Sequence, residues 1–160
     1  MKTGGRAVLA IGLIAGTLDI ADSLIFNAFR GITPAMVFRY IASGLIGMNA
    51  AADGGLEVVL LGVALHYLIA LIWTGIFFAA SRRLRLLTAR PVGSGLAYGI
   101  VVYLVMNWIV LPLSRVPHVH NATMGSRING VLAVVLFIGL TISLLMRRLA
   151  PAAERFDTIS

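Results

Sequence analysis

The sequence contains no cysteine, and only 12% of its 160 residues are charged, about half the share in an average soluble domain. Without a thiol there is no disulfide framework, no Cys-ligated metal and no thiol redox chemistry. Acidic side chains are scarcest, six Asp and Glu against 13 Lys and Arg, and aromatics reach only 8%. What fills the chain instead is aliphatic: 59% of residues are hydrophobic and 17 are glycine. So little charge excludes a soluble enzyme domain and a disordered tail, and leaves a polytopic membrane protein. A net charge of +7 would point to nucleic acid in a soluble chain. Here the basic residues gather between apolar runs, where they set orientation and meet anionic headgroups. The expected partners are the lipid bilayer and its anionic headgroups, and no nucleic acid.

Crossing a hydrocarbon core of about 30 Å takes roughly 20 helical residues. Four stretches are long enough: 7–29, 58–80, 91–114 and 128–146. Lys2, Arg6 and the apolar run to Leu18 look like a signal peptide, but Asp19 and Asp22 follow directly and no A-x-A site appears. The run is therefore read as an uncleaved first span. The segment from Gly31 to Ala52 holds a single charge, Arg39. Counting it as a fifth span would put the Arg82–Arg90 cluster outside. With four spans and the N-terminus inside, nine basic residues fall inside (Lys2, Arg6, Arg82, Arg83, Arg85, Arg90, Arg147, Arg148, Arg155) and four outside (Arg30, Arg39, Arg115, Arg127), as the positive-inside bias requires. Both termini are then cytoplasmic. In the extra segment Thr33 can cap, Pro34 opens a helix, and Met36, Val37, Tyr40, Ile41 and Leu45 recur at helical spacing. This predicts a short amphipathic helix over about 33–48 at the outer face, either interfacial or re-entrant, with a loose return through Asn49 to Gly55. The fold class is all-α, one integral membrane domain of four transmembrane helices plus this short one.

Ionisable groups inside a span cost several kcal/mol, so each is a functional hypothesis. There are three here: Asp19, Asp22 and His66. At about 1.5 Å per residue, Asp22, His66 and Asn107 fall within a few ångströms of one membrane level, in three different spans. Gly16, Asp19, Ser23 and Asn27 form a stripe on the first span, Gly62, His66, Ala70 and Trp73 share a face of the second, and Asn107 lies one turn from Tyr103 on the third. Asp19, Asp22, His66 and Asn107 are the candidate ion- or proton-binding residues, with Ser23, Asn27 and Tyr103 as secondary polar lining. The cluster fits a structural hydrogen-bond network, a proton or cation pathway, or a divalent-metal site on Asp19, Asp22 and His66. No cofactor is identifiable.

Catalysis finds little support. Ser23 and Ser143 lack a nucleophile motif, and no second histidine lies within a span. His118 and His120 form an H-x-H in the last outer loop without a nearby carboxylate or thiol, which reads as an exposed polar loop. Asn121-Ala-Thr matches a glycosylation acceptor by pattern alone. Arg30 and Arg39 flank the outer mouth, where they anchor helix ends at headgroups or steer anions. Gly12-x-x-x-Gly16 and Gly95-x-x-x-Gly99 predict close helix packing, within the bundle or across a homodimer. No internal repeat of the transporter kind is present.

Three stretches carry a resemblance: Gly16-Thr-Leu-Asp19, Val37-Phe-Arg-Tyr-Ile-Ala-Ser-Gly44, and Tyr98-Gly-Ile-Val-Val-Tyr103 running on to Asn107 and Leu111-Pro-Leu-Ser114, with His66 between them. Over roughly Gly16 to Ser114 the chain resembles small four-span bacterial inner-membrane proteins of a YagU-like kind. The likeness implies a bacterial inner membrane and supplies no catalytic residue. Two function classes follow from the residues. One is a proton- or cation-linked channel or carrier subunit. The other is a non-catalytic scaffold or accessory subunit, a homo-oligomer or part of a larger membrane assembly.

Because the chain has no cysteine, single-cysteine labelling reads its topology directly. In intact spheroplasts a membrane-impermeant maleimide should label Thr33→Cys. It should reach Leu84→Cys only after lysis. The reverse pattern would invert the assigned orientation.

Overall fold

The computed structural model describes residues 2–116 and 123–148. His118, His120, the Asn121 pattern and the tail from Pro151 lie outside the described residues. Every regular element described is a helix. Helix α1 is Lys2–Ala28, α2 is Pro34–Ile46, α3 is Met48–Asp53, α4 is Leu56–Arg83 and α5 is Leu86–Ala89. The last two, α6 at Pro91–Leu113 and α7 at Met124–Arg148, are long. Four helices are long and apolar enough to cross a membrane, from Gly4–Ala28 of α1 through α4, α6 and α7, and α2 is a shorter apolar helix. The all-α expectation of four such helices and a shorter one is met.

Local chemistry explains the helix ends. Thr33 caps α2 by accepting from the Met36 N–H at 3.4 Å, and Pro34 takes the first helical position, where its missing N–H costs nothing. Pro91 does the same for α6, and the Thr123 hydroxyl caps α7 by accepting from the Ser126 N–H at 3.2 Å. The expected single helix over 33–48 is in fact two. Gly47, at φ +86°, takes a conformation that residues with a Cβ avoid. The chain turns there and continues as α3, where a loose return was expected. Ala50, Ala51 and Ala52 have high helix propensity, and Ala51 is fully buried beside Ala42 and Val58.

The long helices run up, down, up and down. Along α1 and α4 the contacts descend in antiparallel order, with Gly4 meeting Phe78, Gly12 meeting Leu71 and Thr74, and Gly16 meeting Tyr67 and Ala70. Along α6 and α7 they do the same. A Cβ on Gly139 would strike the Gly95 carbonyl, and one on Gly99 would strike the Val135 backbone. Both small-residue motifs are therefore used inside the chain. The main core draws on four helices, with Ile11 and Ala15, Phe77, Val102, and Ile138, Ile142 and Met146 all buried. Large apolar side chains such as Leu9, Leu68, Ile100 and Leu132 face outward along the long helices, which suits contact with lipid and not with water.

Two of the long helices widen locally into π turns, Met106–Val110 in α6 and Val134–Leu140 in α7. The first precedes Pro112, whose ring excludes the Trp108 carbonyl from regular α-helical pairing. There the Leu111 N–H bonds to the Met106 carbonyl, five residues back. The second contains Gly139, at the closest approach of α6 and α7. The Thr141 hydroxyl donates to the Leu136 carbonyl at 3.2 Å, so a side chain helps satisfy the widened turn.

Helix α2 crosses α4 where the Phe38 backbone lies over Gly62, with no room for a Cβ. Further on, the Arg115 N–H donates to the Gly44 carbonyl at 2.9 Å. The end of α6 is thereby tied to α2, and α2 is fastened from both sides.

Overpacking a tight site costs about 1–3 kcal/mol, so Gly139→Val should destabilise the protein by at least that much in detergent unfolding. Gly75, in the middle of α4, has open space where a Cβ would stand. Gly75→Ala should be neutral or stabilising by up to about 1 kcal/mol through helix propensity. Equal effects at both positions would remove the close crossing as an energetic feature.

Candidate functional site

Two of the links between helices hold the candidate residues His66 and Asp22. The first joins α4 to α1. Gly16 has no Cβ, and one placed there would stand 3.0 Å from the Ala70 Cβ and 3.2 Å from the Tyr67 ring. Helix α4 therefore lies against bare backbone, and the His66 imidazole reaches it, with Nε2 2.8 Å from the Gly16 carbonyl oxygen. A carbonyl only accepts, so Nε2 carries the proton in this bond and a neutral ring keeps Nδ1 as an acceptor. The His66 ring also packs edge-on against Tyr67 at 5.3 Å. The Tyr67 hydroxyl pairs with the Thr17 hydroxyl at 3.0 Å.

The second link joins α1 to α7. Asn129 Nδ2 donates to Asp22 Oδ2 at 2.9 Å, between two half-buried side chains 107 positions apart in sequence. With the fourth span read as 128–146, Asn129 stands one residue inside its start, whereas Asp22 stands seven residues from the end of the first, so depth does not pair them. Helix α7 in fact begins at Met124, which sets Asn129 about one and a half turns into it, as Asp22 is into the end of α1.

Asp19 sits one turn beyond Gly16 on α1, half-buried and within electrostatic reach of His66 and Asp22. Its carboxylate has no hydrogen-bond partner among the described residues, whereas His66 and Asp22 each have one. Asn107 is not brought to the carboxylates by any hydrogen bond described. Its amide donates to the Tyr103 carbonyl of its own helix at 2.9 Å, within the widened turn before Pro112. Similarly, Asn27 donates to the Ser23 carbonyl at 2.8 Å, so the Ser23–Asn27 end of the stripe satisfies itself. No group of three His, Asp or Glu side chains among the described residues is arranged to hold a metal ion, so Asp19, Asp22 and His66 do not form a ready first shell.

Of the two mouth arginines, Arg30 is engaged. Its Nη1 donates to the Ser126 hydroxyl at 2.9 Å, and its guanidinium lies 5.7 Å from the Phe26 ring centre, tying the end of α1 to the start of α7. Arg39 Nε is buried with no hydrogen-bond partner among the described residues. The Glu57 carboxylate lies within its electrostatic reach, but Glu57 accepts instead from the Gly55 N–H at 2.7 Å.

Three further polar links were not foreseen. The Tyr98 hydroxyl donates to the Trp73 carbonyl at 2.6 Å and joins α6 to α4. Buried Ser143 donates to the Pro91 carbonyl at 2.8 Å and joins α7 to the start of α6. Thr74, also buried, donates to the Ala70 carbonyl of its own helix at 2.8 Å. Comparison with family models, curated proteins and solved structures yields no match.

Side-chain hydrogen bonds between membrane helices average about 0.6 kcal/mol in double-mutant cycles and reach about 1.7 kcal/mol. A cycle on Asp22→Ala and Asn129→Ala should give coupling in that range, read from detergent unfolding. A cycle on Asp22→Ala and Asn107→Ala should give none. Zero coupling in the first cycle would remove the α1–α7 link.

Proposed function

We infer that this chain is a non-catalytic scaffold or accessory subunit of a bacterial inner membrane, its polar cluster serving as a structural hydrogen-bond network. The observation that carries the reading is the Asp22–Asn129 pair. An ionisable group in a span with no protein partner marks a pathway or a binding site, whereas one matched to an amide on another helix holds the two in register. The His66 bond to Gly16 adds the second fixed register, so α1 is held to both α4 and α7. The inner-membrane assignment rests on the YagU-like resemblance, and cytoplasmic termini rest on the nine-to-four split of basic residues. Further copies of the chain, or another membrane subunit, would meet the apolar outer faces of the long helices.

One observation favours the second class, a proton- or cation-linked channel or carrier subunit. Asp19 stands between His66 and Asp22 in charge terms without a fixed donor, free to exchange a proton or meet a cation.

Reconstitution in liposomes carrying a pH-sensitive dye separates the two. On the scaffold reading, wild type shows no proton or cation flux under an imposed gradient, and Asp19→Asn matches it in stability. On the transport reading, wild type conducts, Asp19→Asn abolishes the flux, and the folded protein survives. A flux in wild type that Asp19→Asn removes would overturn the scaffold conclusion.

A further inference from the structure

Where α4 hands over to α6, the chain forms an open groove of about 460 Å³ beside α5. Leu86, Leu87, Ala97 and Tyr98 supply an apolar wall, and Arg90 is the charged residue that lines the groove. Gly93 also lines it, with open space where a Cβ would stand. The wall is held in shape: the Ser94 hydroxyl donates to the Leu86 carbonyl at 3.3 Å, fastening α5 to α6. The Tyr98 hydroxyl bonds to the Trp73 carbonyl behind it.

Charge identifies the ligand. Arg82, Arg83, Arg85 and Arg90 are all exposed at this end. No Asp or Glu occurs between Glu57 and Glu154, and Asp53 and Glu57 stand at the opposite end of α4. Among the described residues the cationic rim therefore has no acid to neutralise it. An apolar slot beneath an uncompensated arginine, at the ends of helices that cross a bilayer, complements a molecule with a hydrocarbon chain and an anionic head. A free phosphate leaves the apolar wall unused, and a zwitterionic lipid leaves the rim charge unbalanced. We propose that this groove binds an anionic phospholipid, one acyl chain lying against Leu86, Leu87 and Tyr98 and the phosphate meeting Arg90. The site rests on the four helices spanning a bilayer and is independent of either reading of the Asp/His cluster.

Trp73 reports on the groove, because its ring lies 6.2 Å from that of Tyr98. Trp108 is exposed, in the far half of α6, and Trp108→Phe removes its signal. The full chain carrying that change is reconstituted in phosphatidylcholine vesicles, into which brominated phosphatidylglycerol or brominated phosphatidylcholine is titrated. Brominated phosphatidylglycerol should quench Trp73 at an about fivefold lower mole fraction, the worth of one basic residue at an anionic surface. Arg90→Gln should abolish that preference. Gly93→Leu, which fills the groove without changing charge, should weaken quenching by both lipids. Equal quenching by the two lipids in the parent would overturn the site. So would a preference that survives Arg90→Gln, or quenching that Gly93→Leu leaves unchanged.

Discussion

The bare backbone of α1 at Gly16 is the contact on which the rest of the arrangement depends. Between membrane helices there is no hydrophobic drive to associate, since lipid tails are as apolar as leucine, so association rests on close packing and hydrogen bonds. Gly16 provides both. The missing Cβ lets Ala70 and Tyr67 of α4 approach, and the Gly16 carbonyl accepts a hydrogen bond from His66 Nε2. A Cβ at this position would press on the Ala70 and Tyr67 side chains, which would have to shift by a few tenths of an ångström. The Gly95, Gly99 and Gly139 crossing does for α6 and α7 what Gly16 does for α1 and α4. Gly62 does it for the short helix α2.

Once the backbones are close, the few polar groups find partners. Burying a polar group without a hydrogen bond is expensive. Most of those inside this bundle are matched, some across helices, as with Asp22 and Asn129, and others within one, as with Asn107 and Tyr103. Among the described residues the buried Arg39 Nε has no partner, and neither has the Asp19 carboxylate, which adjoins the Gly16 contact. The groups that order the bundle and this carboxylate thus occupy neighbouring turns of α1. Any substitution at Gly16 therefore acts on packing and on the neighbourhood of His66 and Asp19 together, whereas a substitution at Asp19 probes that carboxylate alone.

The ends of the molecule divide by charge. At the α2 end Arg30 bonds to the Ser126 hydroxyl, while the buried Arg39 Nε has no hydrogen-bond partner among the described residues and Glu57 lies only within its electrostatic reach. At the α5 end four exposed arginines have no acid nearby among the described residues. Arg30 helps to close the bundle, and the arginines at the α5 end face outward beside an apolar groove.

The sequence by itself determined the four long helices, because roughly 20 apolar residues in a row have few alternatives once every backbone group must be satisfied internally. It also determined the Thr33–Pro34 and Pro91 helix starts, which are matters of local chemistry, and the short list of polar residues inside the helices. Rise per residue alone put Asp22, His66 and Asn107 near one level, whereas the contact His66 makes is with the Gly16 carbonyl, six positions before Asp22. Azimuth was not legible. The widened turn before Pro112 changes the direction of side chains around Asn107, and no α-helical periodicity foresees it. Only the tertiary structure decided that Asn129 is the partner of Asp22, that both glycine motifs are consumed within one chain, and that α3 follows the turn at Gly47. Each of these depends on which helix faces which, and that is fixed by contacts between residues tens of positions apart.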